Sequence, residues 1–245
     1  MKWQFIDLKI NSGKFNMDYD LKLAADLPPD TFILRLYQWN PFCISLGKNQ
    51  SEEELNKNNI KDDNLEFVKR PTGGRAILHA EEITYSVITN LTQENTPKVL
   101  YKKISEALSL GLSIYDNRLN ETELETIQPD FSKVLNELSG PVCFASTAKN
   151  EVKFSGKKII GSAQRKLNNT ILQHGSILCG TYHKKLVQYL NLSEENIQSI
   201  LNEMNEKTIE IESIINEKVD YKRLADSIKL GFENYFEINF GDYER

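Results

Sequence analysis

Few residues in this chain can carry redox, metal or cross-linking chemistry. Among its 245 residues there are only three cysteines and three histidines. That excludes a disulfide scaffold and leaves too little for a rich metal site. No metal is expected. The cysteines are odd in number and none stands in a CxxC pair, which suits a reducing compartment, so a cytoplasmic location is the expectation. A net positive charge is also missing. The 30 Lys and Arg against 35 Asp and Glu leave a net charge of −5, which argues against binding nucleic acid by broad electrostatics. Long apolar runs are missing too. No stretch approaches the roughly 20 residues of a membrane helix, and the first residues lack the apolar core and cleavage site of a signal peptide. Neither nucleic acid nor membrane is an expected partner.

The rest of the composition is ordinary for a globular protein. Hydrophobic residues make up 40% and charged residues 27%, enough apolar material to bury a core. Short alternating segments predict strands at Trp3–Ile10, Phe32–Tyr37, Phe42–Leu46, Leu65–Lys69, Ala76–Leu78 and Ile83–Thr89. Helical spacing marks Asn16–Leu27, Lys98–Tyr115 and Asp220–Phe236, with short helices at Ser51–Asn58, His183–Leu190 and Glu194–Met204. Glu151–Phe154, Lys157–Leu167 and Thr170–Cys179 read as three successive strands joined by tight turns at Ser155-Gly156 and Asn168-Asn169. Glu237–Phe240 can return as an edge strand. Residues 116–140 are polar and weakly patterned, either a long loop or a poorly specified helix. No repeat or linker divides the chain. The reading is one α+β domain over 1–245, with its core over about 30–240, built on mainly antiparallel β-sheet flanked by helices.

Four stretches can carry chemistry. In Arg70-Pro71-Thr72-Gly73-Gly74-Arg75, glycines after a strand let backbone N–H groups approach an anionic or carbonyl ligand, and flanking arginines can hold it. A tight hairpin with exposed charges is the bland alternative. The Walker ending is absent. In Gly156-Lys157-Lys158-Ile159-Ile160-Gly161-Ser162, two lysines enter an apolar strand. If Ile159 faces the core, alternation puts Lys158, Ile160 and Ser162 on the opposite face. The lysine pair alone is more simply a solvated hairpin. His174 beside Gly175, taken alone, is more often a satisfied structural residue than a catalyst. Cys43 and Cys179 sit inside apolar strands and read as small buried hydrophobes. Cys143 follows a Gly-Pro break and stands apart. A nucleophilic thiol needs a depressed pKa, which a nearby lysine ammonium supplies.

Three motifs in order are more specific than any one of them. RPTGGRAILH (70–79) with ITYSV, then GKKIIGSAQR (156–165), then ILQHGSIL (171–178) resemble the biotin/lipoate protein ligase and acyltransferase superfamily. LRLYQWNPFCISLGKNQ (34–50) resembles the family's strand, Trp-x-Pro turn and Ser-Leu-Gly segment. The similarity covers nearly the whole chain. Within the superfamily, VCFAS with Asn150-Glu151-Val152 resembles the cysteine loop of the octanoyltransferase and amidotransferase branches. The residues between Phe144 and Asn150 lack the Pro-Ser common there.

The resemblance implies an α+β catalytic domain and a protein N-octanoyltransferase of lipoate biosynthesis. Cys143 would carry the acyl group as a thioester and Lys158 would tune its thiol. Arg70, Gly73, Gly74, His79, Gly161, Ser162, His174 and Gly175 would contact substrate, with backbone N–H groups near Gly161–Ser162 helping to hold the oxyanion. The implied donor is octanoyl-acyl carrier protein. The implied acceptors are lipoyl domains, such as the glycine-cleavage H protein or 2-oxoacid dehydrogenase E2. No cofactor is expected. ATP and Mg would enter only for the ligase alternative, in which free lipoate is activated as an adenylate. An octanoyl amidotransferase working between lipoyl-domain proteins is a second alternative, and a non-catalytic paralogue that binds lipoyl domains is a third. A C-terminal accessory domain of the ligase kind is not expected, and that favours transfer. An acidic carrier protein would need a local basic patch, with Lys102, Lys103, Lys149, Lys153, Lys157, Arg165 and Lys166 as possible members.

Overall fold

The computed structural model describes residues 1–126 and 150–243. An eight-stranded sheet and a three-stranded sheet organise them. The elements run β1 (Lys2–Asn11), α1 (Gly13–Ala25), β2 (Thr31–Trp39), β3 (Cys43–Leu46), α2 (Lys57–Asp62), β4 (Glu66–Lys69), β5 (Ile77–His79), β6 (Glu82–Asn90), α3 (Pro97–Tyr115) and β7 (Thr122–Leu124). They continue with β8 (Val152–Phe154), β9 (Lys157–Leu167), β10 (Thr170–Leu178), α4 (Glu194–Lys207), α5 (Ile211–Ile215), α6 (Tyr221–Phe236) and β11 (Gly241–Asp242). The large sheet has the order β11-β1-β2-β6-β10-β9-β8-β7, and the small one β4-β3-β5. Pairing in the large sheet is antiparallel except that β1 runs parallel to β2 and to β11. The expected α+β class and mainly antiparallel sheet are what the fold shows.

One face of the large sheet is dry and apolar. Phe32, Leu34 and Leu36 of β2, Ile83, Tyr85 and Val87 of β6, and Ile171 and Ile177 of β10 pack there against α3 and α6. Helix α3 begins where Thr96 caps the Val99 N–H and Pro97 takes the first turn, a position whose N–H would go unused. Asp220 caps α6 in the same way. The two helices cross at glycines. A Cβ on Gly231 would stand 2.4 Å from Gly111 N. Gly111, an irregularity in the apolar stripe of α3, is therefore the point of closest approach.

The opposite face is covered by α1 and the small sheet. Ser12 caps α1, and the helix lays Met17, Asp20, Leu23 and Ala24 onto the strands. The far side of the small sheet packs on a 3-10 segment, Thr181–Tyr189, and on Ile200 and Met204 of α4. Residues 183–190 were expected as a short helix and form this tighter coil.

Three other expectations differ in detail. Ser51–Asn58 is not one helix. Ser51 and Glu54 make a capping box around a single 3-10 turn, Glu52–Glu54, and α2 starts afresh with Asn56 as its cap. Within 116–140, residues 122–124 form strand β7, which pairs with β8 at the sheet edge. Residues 127–140 lie outside the described residues. The last strand falls at Gly241–Asp242 rather than 237–240, because Glu237 takes a left-handed conformation (φ 55°) that ends α6. The Ser155-Gly156 turn is as read. Both residues have positive φ (47° and 77°), the geometry of a two-residue hairpin that follows the strand twist.

Candidate active site

Alternation along β2, β6 and β10 sends Arg35, Tyr37, Thr84, Ser86, His174 and Ser176 to the face beneath α1 and the small sheet. All six are buried. Burying this many polar groups is costly unless each finds a partner, and two linked networks supply the partners.

The first network centres on Asp20. Arg35 donates to it from Nη1 at 2.6 Å, Tyr37 from its hydroxyl at 3.1 Å and Ser86 at 3.0 Å, while Arg35 Nη2 donates to Asn16 Oδ1 at 2.5 Å. The Arg35 guanidinium also lies 3.9 Å from the centre of the Tyr37 ring. Burial alone would push the Asp20 carboxyl up, but His174 and Arg35 outweigh it and hold it below the usual carboxylate range. His174 Nδ1 stands 3.9 Å from Asp20, and its Nε2 is 2.6 Å from the Thr72 hydroxyl of the Arg70–Arg75 loop. Burial pulls His174 below the usual imidazole range, against the opposing pull of Asp20.

The second network centres on Glu82. His79 Nδ1 is 2.8 Å from Oε1, and the Thr84 and Ser176 hydroxyls donate to the same oxygen at 2.5 and 3.0 Å. His79 Nε2 meets Ser45 Oγ at 2.8 Å, and Trp39 stacks on the imidazole at 4.1 Å. Arg70 reaches across the small sheet. It donates to the Ser45 carbonyl at 2.8 Å, to Ser45 Oγ at 3.1 Å and to the carbonyls of Gly73 and Arg75. Arg70 therefore shapes its own loop. The loop also packs on the turn after β3, where a Cβ on Gly47 would meet the Gly74 carbonyl at 1.8 Å.

Between the networks runs a narrow cavity of about 20 Å³, room for about one water. Its walls include Met17, Trp39, Arg70, His79, His174 and the strand segments Gly161–Ala163 and Gly175–Ser176. Of the eight substrate contacts implied by the resemblance, six line this cavity: Arg70, His79, Gly161, Ser162, His174 and Gly175. Gly73 and Gly74 do not; they sit on an exposed turn, Gly74 at φ 91°. Gly175 is fixed by packing, since a Cβ there would stand 2.3 Å from the Gly161 carbonyl and 2.8 Å from the Tyr85 ring.

Lys158 is not on a solvated hairpin. It is 1% exposed and lies 3.1 Å from Glu151. The simple alternation expected around it fails. Val152 pairs with Ile160 but Lys153 pairs with Lys158, so Ile159 is an extra residue in β9. Such a bulge re-aims the side chains on either side of it. Ile159 and Ile160 both enter the apolar core as a result, and Ser162 points with Ile160 towards Tyr85, whose hydroxyl is 2.7 Å away. The Ser162 N–H, expected to help hold an oxyanion, donates to Glu151 Oε1 at 3.2 Å.

Cys143 lies outside the described residues. Cys43 and Cys179 are fully buried, and burial pushes both thiols well above their usual range. Neither suits a thiolate nucleophile. Five of the suggested basic-patch residues are engaged locally: Lys102 with Glu106, Lys103 with Asn95, Lys153 with Glu125, Lys157 with the Asn205 carbonyl and Arg165 with the Pro71 carbonyl. Among the described residues no group of three or more His, Cys, Asp or Glu is placed to hold a metal, and no helix is long and apolar enough to cross a membrane.

Residues 12–233 match the family model described as the lipoyl protein ligase A/B catalytic domain. The chain belongs to this family, and its near full-length relatives, named octanoyltransferases, make it an enzyme, an acyltransferase. It is 34% identical to the octanoyltransferase LipM of Bacillus subtilis, over 99% of this chain and 89% of that protein. Against the octanoyltransferase LipM of Lysinibacillus sphaericus it is 32% identical, over 96% and 87%. Among solved structures, lipoate-protein ligase A bound with ATP superposes with a TM-score of 0.76 at 20% identity, covering 99% of this chain and 89% of that one. That likeness is one of fold.

Proposed function

We propose that the protein transfers octanoyl groups from acyl carrier protein to a lysine of lipoyl domains, through a thioester on Cys143. The Cys143 thiol gives its proton to solvent, its thiolate attacks the donor's thioester carbon and forms a new C–S bond, the C–S bond to phosphopantetheine breaks, and the departing thiolate takes a proton back from solvent. The neutral amine of the acceptor lysine then attacks the Cys143 thioester. An amide C–N bond forms, the C–S bond breaks, and the amine's proton passes to the thiolate or to solvent. Thioester energy is carried through both steps, so no ATP is consumed.

The observation that carries this reading is the buried Lys158 ammonium, on the strand whose Gly161–Ala163 segment walls the cavity. A fixed positive charge in a dry site is what stabilises a thiolate and the developing oxyanion. The cavity supports the acyl part of the reading. Its polar side chains are largely turned onto one another, so they present ring faces and carbon atoms to the lumen, together with Met17, Ile77 and Ala163. Each methylene buried there contributes about 0.8 kcal/mol. Eight carbons need more room than one water does, so the walls must part. Unbranched Met17 is the most readily displaced.

The donor is tested by offering octanoyl-acyl carrier protein and an octanoylated H protein separately, without ATP, and following octanoylation of a lipoyl domain. Transfer from the carrier protein is expected. Transfer only from the H protein would make the enzyme an amidotransferase, and transfer only with ATP and a free acid would make it a ligase.

A further inference from the structure

Glu151 has no role in the mechanism above, yet it is one of the most thoroughly placed side chains near Lys158. It is 3% exposed. Its Oε2 is 3.1 Å from Lys158 Nζ and its Oε1 accepts the Ser162 N–H at 3.2 Å. One carboxylate thus ties the lysine to the strand residue that lines the cavity. The backbone around the pair is held as well. The Glu151 carbonyl accepts from Glu125 N at 2.9 Å, and the Lys158 carbonyl accepts from Ile209 N at 3.0 Å. The bulge at Ile159 sits between Lys158 and Ser162 and brings both within reach of a single carboxylate.

We infer that Glu151 is a positioning residue: its two oxygens fix the Lys158 ammonium relative to Ser162 and the cavity wall, so that the charge is already in place when the acyl group arrives. A lysine side chain has four rotatable bonds, and an unplaced ammonium would have to be ordered at each turnover. A buried, charge-assisted contact meets that cost during folding. The consequence for catalysis rests on the transfer reading above; the placement of the lysine does not.

Two readouts keep the two claims apart. In the first, the exchange of the Lys158 ammonium protons with water is followed by nitrogen-edited NMR on the whole chain, in wild type and Glu151→Gln. Glutamine keeps the shape and an acceptor for Ser162 but removes the charge. Exchange should accelerate roughly tenfold or more, the size of one lost charge-assisted contact. In the second, octanoyl loading from octanoyl-acyl carrier protein is timed. Glu151→Gln should lower the rate constant of loading at saturating donor by roughly tenfold while leaving the half-saturating donor concentration and the final amplitude of loading unchanged; general destabilisation would lower the amplitude instead. Glu151→Asp, which keeps the charge at shorter reach, should fall between the two, and it serves if the glutamine variant does not fold. Unchanged exchange would overturn the inference, and so would altered exchange with unchanged loading. A wild-type protein that never loads, with exchange still accelerated in the variant, would refute the transfer reading and leave the placement standing.

Discussion

The two faces of the large sheet are built from the same strands and differ in almost everything else. On one, Phe32, Leu34, Ile83, Val87, Ile171 and Ile177 meet two amphipathic helices and form an apolar core. On the other, the intervening residues Arg35, Thr84, Ser86, His174 and Ser176 are as deeply buried, but among hydrogen bonds and ion pairs. Apolar packing tolerates repacking, because it depends mainly on volume. A buried polar network tolerates little, because a lost partner leaves a charge or donor stranded. The first face should therefore govern stability alone, and the second both stability and chemistry.

Substitutions on the two faces sharpen that contrast. Asp20→Ala strands the Arg35 guanidinium in a dry site. It should cost about 3–5 kcal/mol of stability, as breaking a buried pair does, and should slow octanoyl loading as well. Phe232→Ala on the apolar face should cost a similar amount, about 3–5 kcal/mol, yet leave loading intact in the cold, where the variant is still folded. Equal loss of loading in both variants would erase the distinction.

Acid should find the polar face first. Asp20 and His174 on this face, and the buried His183 of the Thr181–Tyr189 segment, all hold their protons more weakly in the folded chain than in the unfolded one. Protonation therefore favours unfolding. The histidine contributions are complete above about pH 6.5 and fade below it; that of Asp20 is complete above about pH 4 and is lost as pH falls through its lower folded value. Melting temperatures should decline in two stages, and a flat response between neutrality and about pH 5 would contradict the histidine stage. The smallest effect is expected from Ser176→Ala, which leaves Glu82 Oε1 with His79 and Thr84 still bound. About 1 kcal/mol is expected there, read from the midpoint of chemical denaturation.

The apolar face was legible because its signals are local. Helical spacing in 98–115 and 220–236 and alternation in 32–37 and 83–89 each act within a few residues, and the structure keeps those elements with ends shifted by a few residues. The polar face was half legible. The alternation in 32–37 sets Arg35 opposite Phe32, Leu34 and Leu36, but alternating polar residues ordinarily face water. Nothing local shows that α1 and the small sheet cover them. The Asp20–Arg35 pair joins a helix to a strand, and the Thr72–His174 contact spans 102 residues, beyond any periodicity. The motifs located most of the cavity wall, yet Gly73 and Gly74 lie outside it, exposed. Ser45 and Glu82 were missed, although a glutamate three residues after His79 was a usable sign. In the sequence Glu151 reads only as the start of a strand and as part of a motif. Its link to Lys158 depends on the bulge at Ile159, and strict alternation hides a bulge.

The central claim is that this polar face serves a covalent acyl transfer through Cys143. The intact mass of the protein after incubation with octanoyl-acyl carrier protein, without ATP, tests it most directly. A single octanoyl adduct that hydroxylamine removes, present in wild type and absent in Cys143→Ala, is the predicted result. No adduct on wild type, or one that persists in Cys143→Ala, would contradict it.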